Sequence, residues 1–329
     1  AGTPPVRTTT FHYMDGAVPI PIKPADGVDA LFAPRRTVLD PVLEDAAVAA
    51  GAHLVRGLSV VDVVKDAGGR LRGAVVAGAG EKGREVAADW VVGADGIHSR
   101  VARLVDATVE HSGVHATATI YGYWSGLDPE TGYHWHYRSG EASGAIPTND
   151  GLTCVCAILP TAAFERERHR GLEALHEVTL RRVSPELVDA ALPASRWGPL
   201  RAFAGLPGFL RRSAGPGWAL VGDAGYFRDP STAHGITDGF RDAELLARAV
   251  AGGTDAAVEE YVAVRNEVAL PIMQVTDRIS SLDWTLEEVK ELHLALSRRM
   301  NAGLDVVRSF AAGGPVAEGA PVPRAESAA

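Results

Sequence analysis

Two stretches of this chain combine residue types and spacings suited to ligand chemistry. The first, Trp90-Val91-Val92-Gly93-Ala94-Asp95-Gly96, is an apolar run that delivers a carboxylate and an exposed backbone into a tight turn. Open α/β sheets bind ligands beyond the carboxyl ends of their strands, which is where Asp95 and Gly96 would stand. Asp-Gly after a strand is also an ordinary turn, and both readings stay open on these residues alone. The second stretch runs from an apolar strand, Trp218–Val221, through Gly222-Asp223-Ala224 and Asp229-Pro230 to a helix opening at Thr232-Ala233-His234-Gly235-Ile236-Thr237. A helix start offers unpaired N–H groups and the positive end of its dipole, suited to an anionic or electron-rich oxygen. Asp223 can accept hydrogen bonds from sugar hydroxyls or cap the loop, and its residue type fits both.

His234 sits in the loop before that helix, either touching a ligand or facing solvent, and is the one candidate for a catalytic group. His134 and His136 alternate in Tyr133-His134-Trp135-His136-Tyr137; without acidic or thiolate partners close in sequence they read as sheet residues rather than metal ligands, and no metal is expected. Cys154 and Cys156 alternate too, so both thiols point to one face of a strand and read as small buried hydrophobes. Tyr123, Trp124 and Trp135 are candidates to line a substrate cavity, with sheet core as the alternative for each. No Ser-His-Asp or Cys-His arrangement is legible.

Elements must position these residues. Ala30–Arg35 reads as a short strand and Thr37–Ala50 as a helix ended by Gly51. Leu54–Lys65, Leu71–Ala77 and Glu85–Gly93 read as strands separated by glycine turns, followed by a short helix over His98–Val105. From Thr117 to Leu159 the texture is antiparallel sheet, and Thr161–Ala191 is mainly helical. Helices are predicted over Ile236–Ala251, Ala256–Arg278 and Leu286–Phe310. The fold class is α/β with an α+β insertion: a Rossmann-like domain over 1–112 and 206–311, an antiparallel substrate domain over 113–205, and a disordered tail over 312–329.

Composition narrows the function classes. The 329 residues carry 32 Lys+Arg against 41 Asp+Glu, a net charge of −9, which disfavours general nucleic-acid binding. The 46% hydrophobic content is ordinary for a globular chain, and two cysteines exclude a disulfide scaffold. No run approaches a membrane span and the N-terminus lacks signal-peptide character, so a cytoplasmic location is expected. The first 28 residues, rich in Pro and Gly, read as loop or edge strand, as though the chain were entered in mid-fold.

Gly93-Ala94-Asp95-Gly96-Ile97-His98-Ser99, and Gly222-Asp223-Ala224 followed by Pro230 and Gly235-Ile236, resemble the second and third fingerprints of the FAD-dependent aromatic hydroxylase (group A flavoprotein monooxygenase) superfamily. That superfamily also holds geranylgeranyl reductase-like enzymes and flavin halogenases. Arg36-Thr37-Val38-Leu39-Asp40 looks like its Arg-x-x-Leu/Phe-Asp element, so the resemblance covers about Arg36 to Val250. It implies FAD as cofactor, with Arg36 near the pyrophosphate or ribityl region and Asp95 and Gly96 near the pyrophosphate and in NAD(P)H docking. Gly222 and Ala224 would lie at the close backbone approach, Asp223 would hydrogen-bond the ribityl chain, and Pro230 would sit beside the isoalloxazine. The N–H groups of Gly235, Ile236 and Thr237 would face the N1–C2=O edge. The reaction implied is NADPH- or NADH-dependent hydroxylation or epoxidation of an apolar or aromatic small molecule through a flavin C4a-hydroperoxide. A reductase, a halogenase and a truncated, non-catalytic binding remnant are the alternatives.

Departures from the family pattern are visible. Ala102 stands where the family carries Arg, the halogenase Trp signature is unmatched, and none of Lys23, Lys65, Lys82 and Lys290 has a recognisable halogenase context. The strand–GxGxxG–helix opening is absent; Gly78-Ala79-Gly80-Glu81-Lys82-Gly83 imitates it between strands, with no helix after it. An open position is therefore expected beside the Trp90–Gly93 and Trp218–Val221 strands, where a first strand would pair.

Overall fold

The computed structural model describes residues 2–128, 132–191 and 194–311. In chain order the elements are β1 (Thr8–Tyr13), β2 (Gly16–Pro21), α1 (Arg36–Ala49), β3 (Ser59–Lys65), β4 (Leu71–Ala77), β5 (Arg84–Ala87), β6 (Val91–Gly93), α2 (Arg100–Leu104), β7 (Val109–Ser112), β8 (Thr117–Ser125), β9 (Tyr133–Arg138), β10 (Glu141–Pro147), β11 (Leu152–Pro160), α3 (Thr161–Glu167), α4 (Leu172–Val183), α5 (Pro185–Ala191), β12 (Ser195–Phe203), β13 (Phe209–Arg211), β14 (Ala214–Gly215), β15 (Trp218–Leu220), β16 (Tyr226–Phe227), α6 (Gly235–Ala251), α7 (Asp255–Ser280) and α8 (Leu286–Ala311). The mixed α/β class matches the reading from sequence. The tail assigned to 312–329 lies outside the described residues.

Backbone packing divides the chain into two units. The first comprises Ala1–Val55, Ala116–Leu206 and Ile279–Lys290. Its seven-stranded sheet has the order β12-β8-β11-β10-β9-β1-β2. Strand alternation sends Ala118, Ile120 and Trp124 of β8 to one face, where they pack with Val155, Ala157, Leu159 and helix residues Phe164, Leu175, Leu180 and Val188. Residues 1–55 belong to the antiparallel sheet unit, because β1 pairs in parallel with β9, from Thr9↔Tyr133 to His12↔His136. Ala30–Arg35 is not a strand; only Leu31 forms a bridge, to Val6.

The second unit comprises Arg56–His115, Pro207–Arg278 and the chain from Glu291. It holds three small sheets, β3-β4-β5, β16-β13-β7 and β14-β15-β6. The predicted strand Glu85–Gly93 is two strands, β5 and β6, in different sheets. β6 and β15 run parallel, with Trp218↔Val91, Ala219↔Val92 and Leu220↔Gly93 in register. The flank of β15 away from β6 is filled by β14, whereas among the described strands none pairs with the outer side of β6. Gly93 is required by packing: a Cβ there would lie 2.7 Å from Leu220 Cδ2 and 2.9 Å from Val101 Cβ, so any larger residue would wedge β6 from β15 and α2. Below the pair, Leu71, Val91, Val101, Trp218, Leu220 and Ala224 form one core cluster; Ala219, Leu245, Leu246, Val258 and Tyr261 form another. The decoy Gly78–Gly83 segment is the β4–β5 turn, closed by Glu81 N–H donating to the Gly78 carbonyl at 3.2 Å.

Candidate functional site

Parallel pairing of β6 and β15 carries both strand ends to the same edge of the second unit. Val221 N–H donates to the Gly93 carbonyl at 3.0 Å, so the Ala94–Gly96 turn and the Gly222–Ala224 turn leave side by side. Arg211, on β13, fastens them: its guanidinium donates to the carbonyl of Ala224 at 2.8 Å and to that of Ile97 at 3.4 Å. Nothing in the sequence around Arg211 marks this role, because both acceptors are backbone atoms.

Asp95 turns its carboxylate inward along the chain. It accepts from the Ser99 hydroxyl at 2.5 Å and from the N–H groups of Arg100 (2.6 Å) and Val101 (3.1 Å), while Ser99 Oγ accepts from Ala102 N–H at 2.9 Å. Together they cap α2, satisfying donors that a helix start leaves unpaired. Partial burial raises the carboxyl pKa of Asp95, and these hydrogen bonds outweigh it, leaving Asp95 below the usual carboxylate range. The turn reading of Asp95 and its place in the motif are thus both present in one residue.

Gly222 adopts φ +56°, a left-handed conformation that favours glycine, and faces Gly239 of α6 with 4.0 Å between its would-be Cβ and that Cα. Asp223 and Pro230 are exposed, and so are Gly235, Ile236 and Thr237 at the start of α6. Asp238 N–H makes a helical bond to the His234 carbonyl at 3.0 Å, leaving the three preceding N–H groups at the helix opening. No side chain caps that opening. A Cβ on Gly235 or Gly96 would meet nothing within 4 Å, so the backbone is open to close approach. Ile236 and Phe240, one helical turn apart, are 43% and 48% exposed and give an apolar shelf beside it. An exposed carboxylate, bare backbone donors and an apolar shelf together fit a ligand with a polyhydroxylated arm and a flat ring with an electron-rich carbonyl edge, as FAD has.

His234 occupies the N-cap position of α6 and follows Ala233, itself left-handed at φ +55°. Burial first, then the charge of Arg228, pulls its pKa down to about 4, so the imidazole is neutral at physiological pH. Its Nδ1 is buried without a hydrogen-bond partner.

The remaining candidates lie in the first unit. Arg36 opens α1 and pairs with Asp40 one turn on. Tyr123 stands with its ring 6.3 Å from the Trp197 ring, and Arg35 lies over both at 5.8 and 5.3 Å. Trp124 points the other way, into the helix-packed core, stacked on His176 with ring centres 5.4 Å apart. Trp135 lies over Gly144 against the Cys156 sulfur, on the face opposite Trp124. The structure therefore puts Tyr123 and Trp135 on one face and removes Trp124 from it. Cys154 and Cys156 share that face; burial pushes both thiol pKa values up, Cys156 to about 12, so they stay protonated.

His134 and His136 have a third partner that sequence reading missed, 122 residues away. His12 Nε2 lies 2.8 Å from His134 Nδ1, and the His12 ring stacks on His136 at 4.1 Å and 6°. Stacked rings hold their lone pairs in parallel planes that do not converge on one ion. Among the described residues no group of three or more His, Cys, Asp or Glu is arranged to hold a metal ion. No described helix is long and apolar enough to cross a membrane.

The chain is 27% identical over 293 residues to "Menaquinone reductase" of Mycolicibacterium smegmatis, covering 86% of this chain and 64% of that protein. It is 26% identical over 280 residues to "Digeranylgeranylglycerophospholipid reductase" of Methanothrix thermoacetophila, covering 78% of this chain and 65% of that one. The chain thus spans just under two thirds of the length of these curated relatives. In fold it is similar to the flavin-dependent brominase Bmp2, with a TM-score of 0.73 at 19% identity over 96% of this chain and 78% of that one. A family model described as "FAD binding domain" (FAD_binding_3) matches residues 33–276, and the chain belongs to that family.

Proposed function

We propose that the second unit binds the ribityl and ring portions of FAD, and that the protein is an FAD-dependent oxidoreductase acting on an apolar or aromatic small molecule. The observation that carries this is the convergence of the Ala94–Gly96 turn, the Gly222–Ala224 turn and the open start of α6 at one edge of the β6–β15 pair. Asp223 accepts hydroxyl hydrogen bonds from the ribityl arm, Gly222 admits the backbone approach, and Pro230 flanks the ring. The N–H groups of Gly235, Ile236 and Thr237 face its electron-rich edge, where the helix dipole favours negative charge. Asp95 and Gly96 shape the neighbouring turn. When bound, FAD supplies the redox chemistry, with NADPH or NADH as electron donor.

Tyr123 and Trp135 share the sheet face that would offer aromatic contacts to substrate. Monooxygenation is the first reading. Reduction of an unsaturated ligand is the second, supported by the two relatives whose names are those of reductases. Purified protein titrated with FAD, then assayed with NADPH or NADH for oxygen uptake, tests both. Visible flavin absorbance with substrate-dependent oxygen uptake supports the monooxygenase; absorbance with NAD(P)H oxidation but no oxygen uptake under substrate supports the reductase. A protein that takes up no flavin would defeat the site assignment.

A further inference from the structure

Beneath the opening of α6 runs a buried chain of charges. Arg228 Nε donates to Asp238 Oδ2 at 2.8 Å, and Asp238 Oδ1 accepts from Arg241 Nη1 at 3.0 Å. Arg241 also grips Asp242 Oδ1 through Nε at 3.0 Å and Nη2 at 2.7 Å. Arg265 Nη1 lies 3.9 Å from Asp242 Oδ2, and Arg265 Nη2 donates to Ser213 Oγ at 2.8 Å. Side-chain exposure is 4% at Arg228, 10% at Asp238, 6% at Arg241 and nil at Asp242 and Arg265. The other titratable groups facing this cluster are the neutral His234 and the phenols of Tyr226 and Tyr261.

Asp238 is the member placed in the first turn of α6, at the same helix end as the open N–H groups. A carboxylate there opposes a second negative charge arriving at that end, and burial shields the interaction from salt. Its two flanking guanidiniums, one of them shared with Asp242, offset it. How positive the helix opening is therefore depends on the balance between Asp238 and the Arg228–Arg241 pair.

We propose that Asp238, clamped between Arg228 and Arg241, is a positioning residue that sets how strongly the start of α6 prefers the reduced, negatively charged form of FAD over the oxidised form. The inference rests on the flavin assignment above. A purely structural network would, when weakened, lower affinity for both forms alike; a charge-setting one changes their ratio.

The test is the affinity of the full chain for oxidised and for reduced FAD, read together with the midpoint potential of the bound flavin. D238N should raise the reduced-to-oxidised affinity ratio about tenfold, a shift of about +30 mV for a two-electron couple. R228Q should move it about as far in the opposite direction, and R228K, which keeps the charge, should leave it within about twofold. If D238N does not fold, the R228Q and R228K pair decides. Flavin bound with an unchanged ratio in the charge-altering variants overturns this inference and leaves the flavin assignment intact. No flavin bound by the unsubstituted protein overturns the assignment and the inference with it.

Discussion

Arg211 holds the carbonyl of Ala224 at 2.8 Å, and with its other amino group it reaches back across the chain to Ile97. One side chain thus sets the spacing of two turns that come from strands far apart in sequence. Arg211→Met should leave the strands paired but free the turns, costing about 1–2 kcal/mol of stability for the lost charged hydrogen bonds. FAD affinity should fall about tenfold, the equivalent of about 1.4 kcal/mol. Flavin titration beside urea unfolding checks both; unchanged affinity would mean that the turns hold each other without it.

Asp223→Ala should strip the site of its exposed acceptor. Loss of hydrogen bonds to a charged group predicts at least about a hundredfold weaker FAD binding. The loss should fall on binding, since Asp223 is exposed on the site surface. The flavin-to-protein ratio after gel filtration is the measurement, and full retention would remove Asp223 from the site.

Asp95 and Ser99 cap α2 as a unit, so Asp95→Asn and Ser99→Ala should each cost about 1 kcal/mol and the double substitution less than their sum. Because Asp95 titrates below its ordinary value of 3.8, its contribution is complete above that pH and is lost as the pH falls through the lower folded value. Urea midpoints for the two single variants and the double variant give the coupling, and strict additivity would show that the two caps act separately.

Acid should destabilise the protein well above the carboxylate range. Burial lowers His136 to about 3, and His176, His234 and His293 to about 4, from an ordinary 6.5. Above pH 6.5 these rings are neutral whether the chain is folded or not, and they leave stability untouched. As the pH falls from 6.5 towards 4 the unfolded chain takes up protons that the folded one refuses, so stability drops, by up to about 1.4 kcal/mol per pH unit for each proton. His136 and His176, each 5% exposed, carry the surest part of this loss. Unfolding midpoints at pH 7.5, 6 and 5 should decline in order; a flat profile would contradict the burial of these rings.

What the sequence made legible was local. The apolar runs Val91–Gly93 and Trp218–Leu220, each emptying into a small-residue turn, and the long amphipathic α6 all lie within a few residues of where periodicity places them. What it hid was non-local. The pairing of β1 with β9 joins positions more than a hundred residues apart, so local periodicity shows neither that strand pair nor His12 beside His134. Trp124 looked like a neighbour of Tyr123, yet strand alternation, once the buried face of β8 is known, sends it into the core. Arg228, Asp238 and Arg241 carry no local mark of burial in the sequence, and only the tertiary fold closes over them.

The edges of the seven-stranded sheet bear on how copies of this protein behave when crowded. Ile22 N–H donates inward to the Arg7 carbonyl at 2.8 Å, which fixes the phase of β2. Pro19 and Pro21 therefore stand at the positions whose N–H groups would face outward, and proline has none to offer. At the opposite edge, β12 carries Pro199 within the irregularity between Trp197 and Arg201. Val18 and Ile20 are exposed on β2, yet two of the outward positions on its rim, Pro19 and Pro21, offer no donor to a strand from another molecule. Proline thus stands on both rims, where it hinders edge-to-edge pairing between copies.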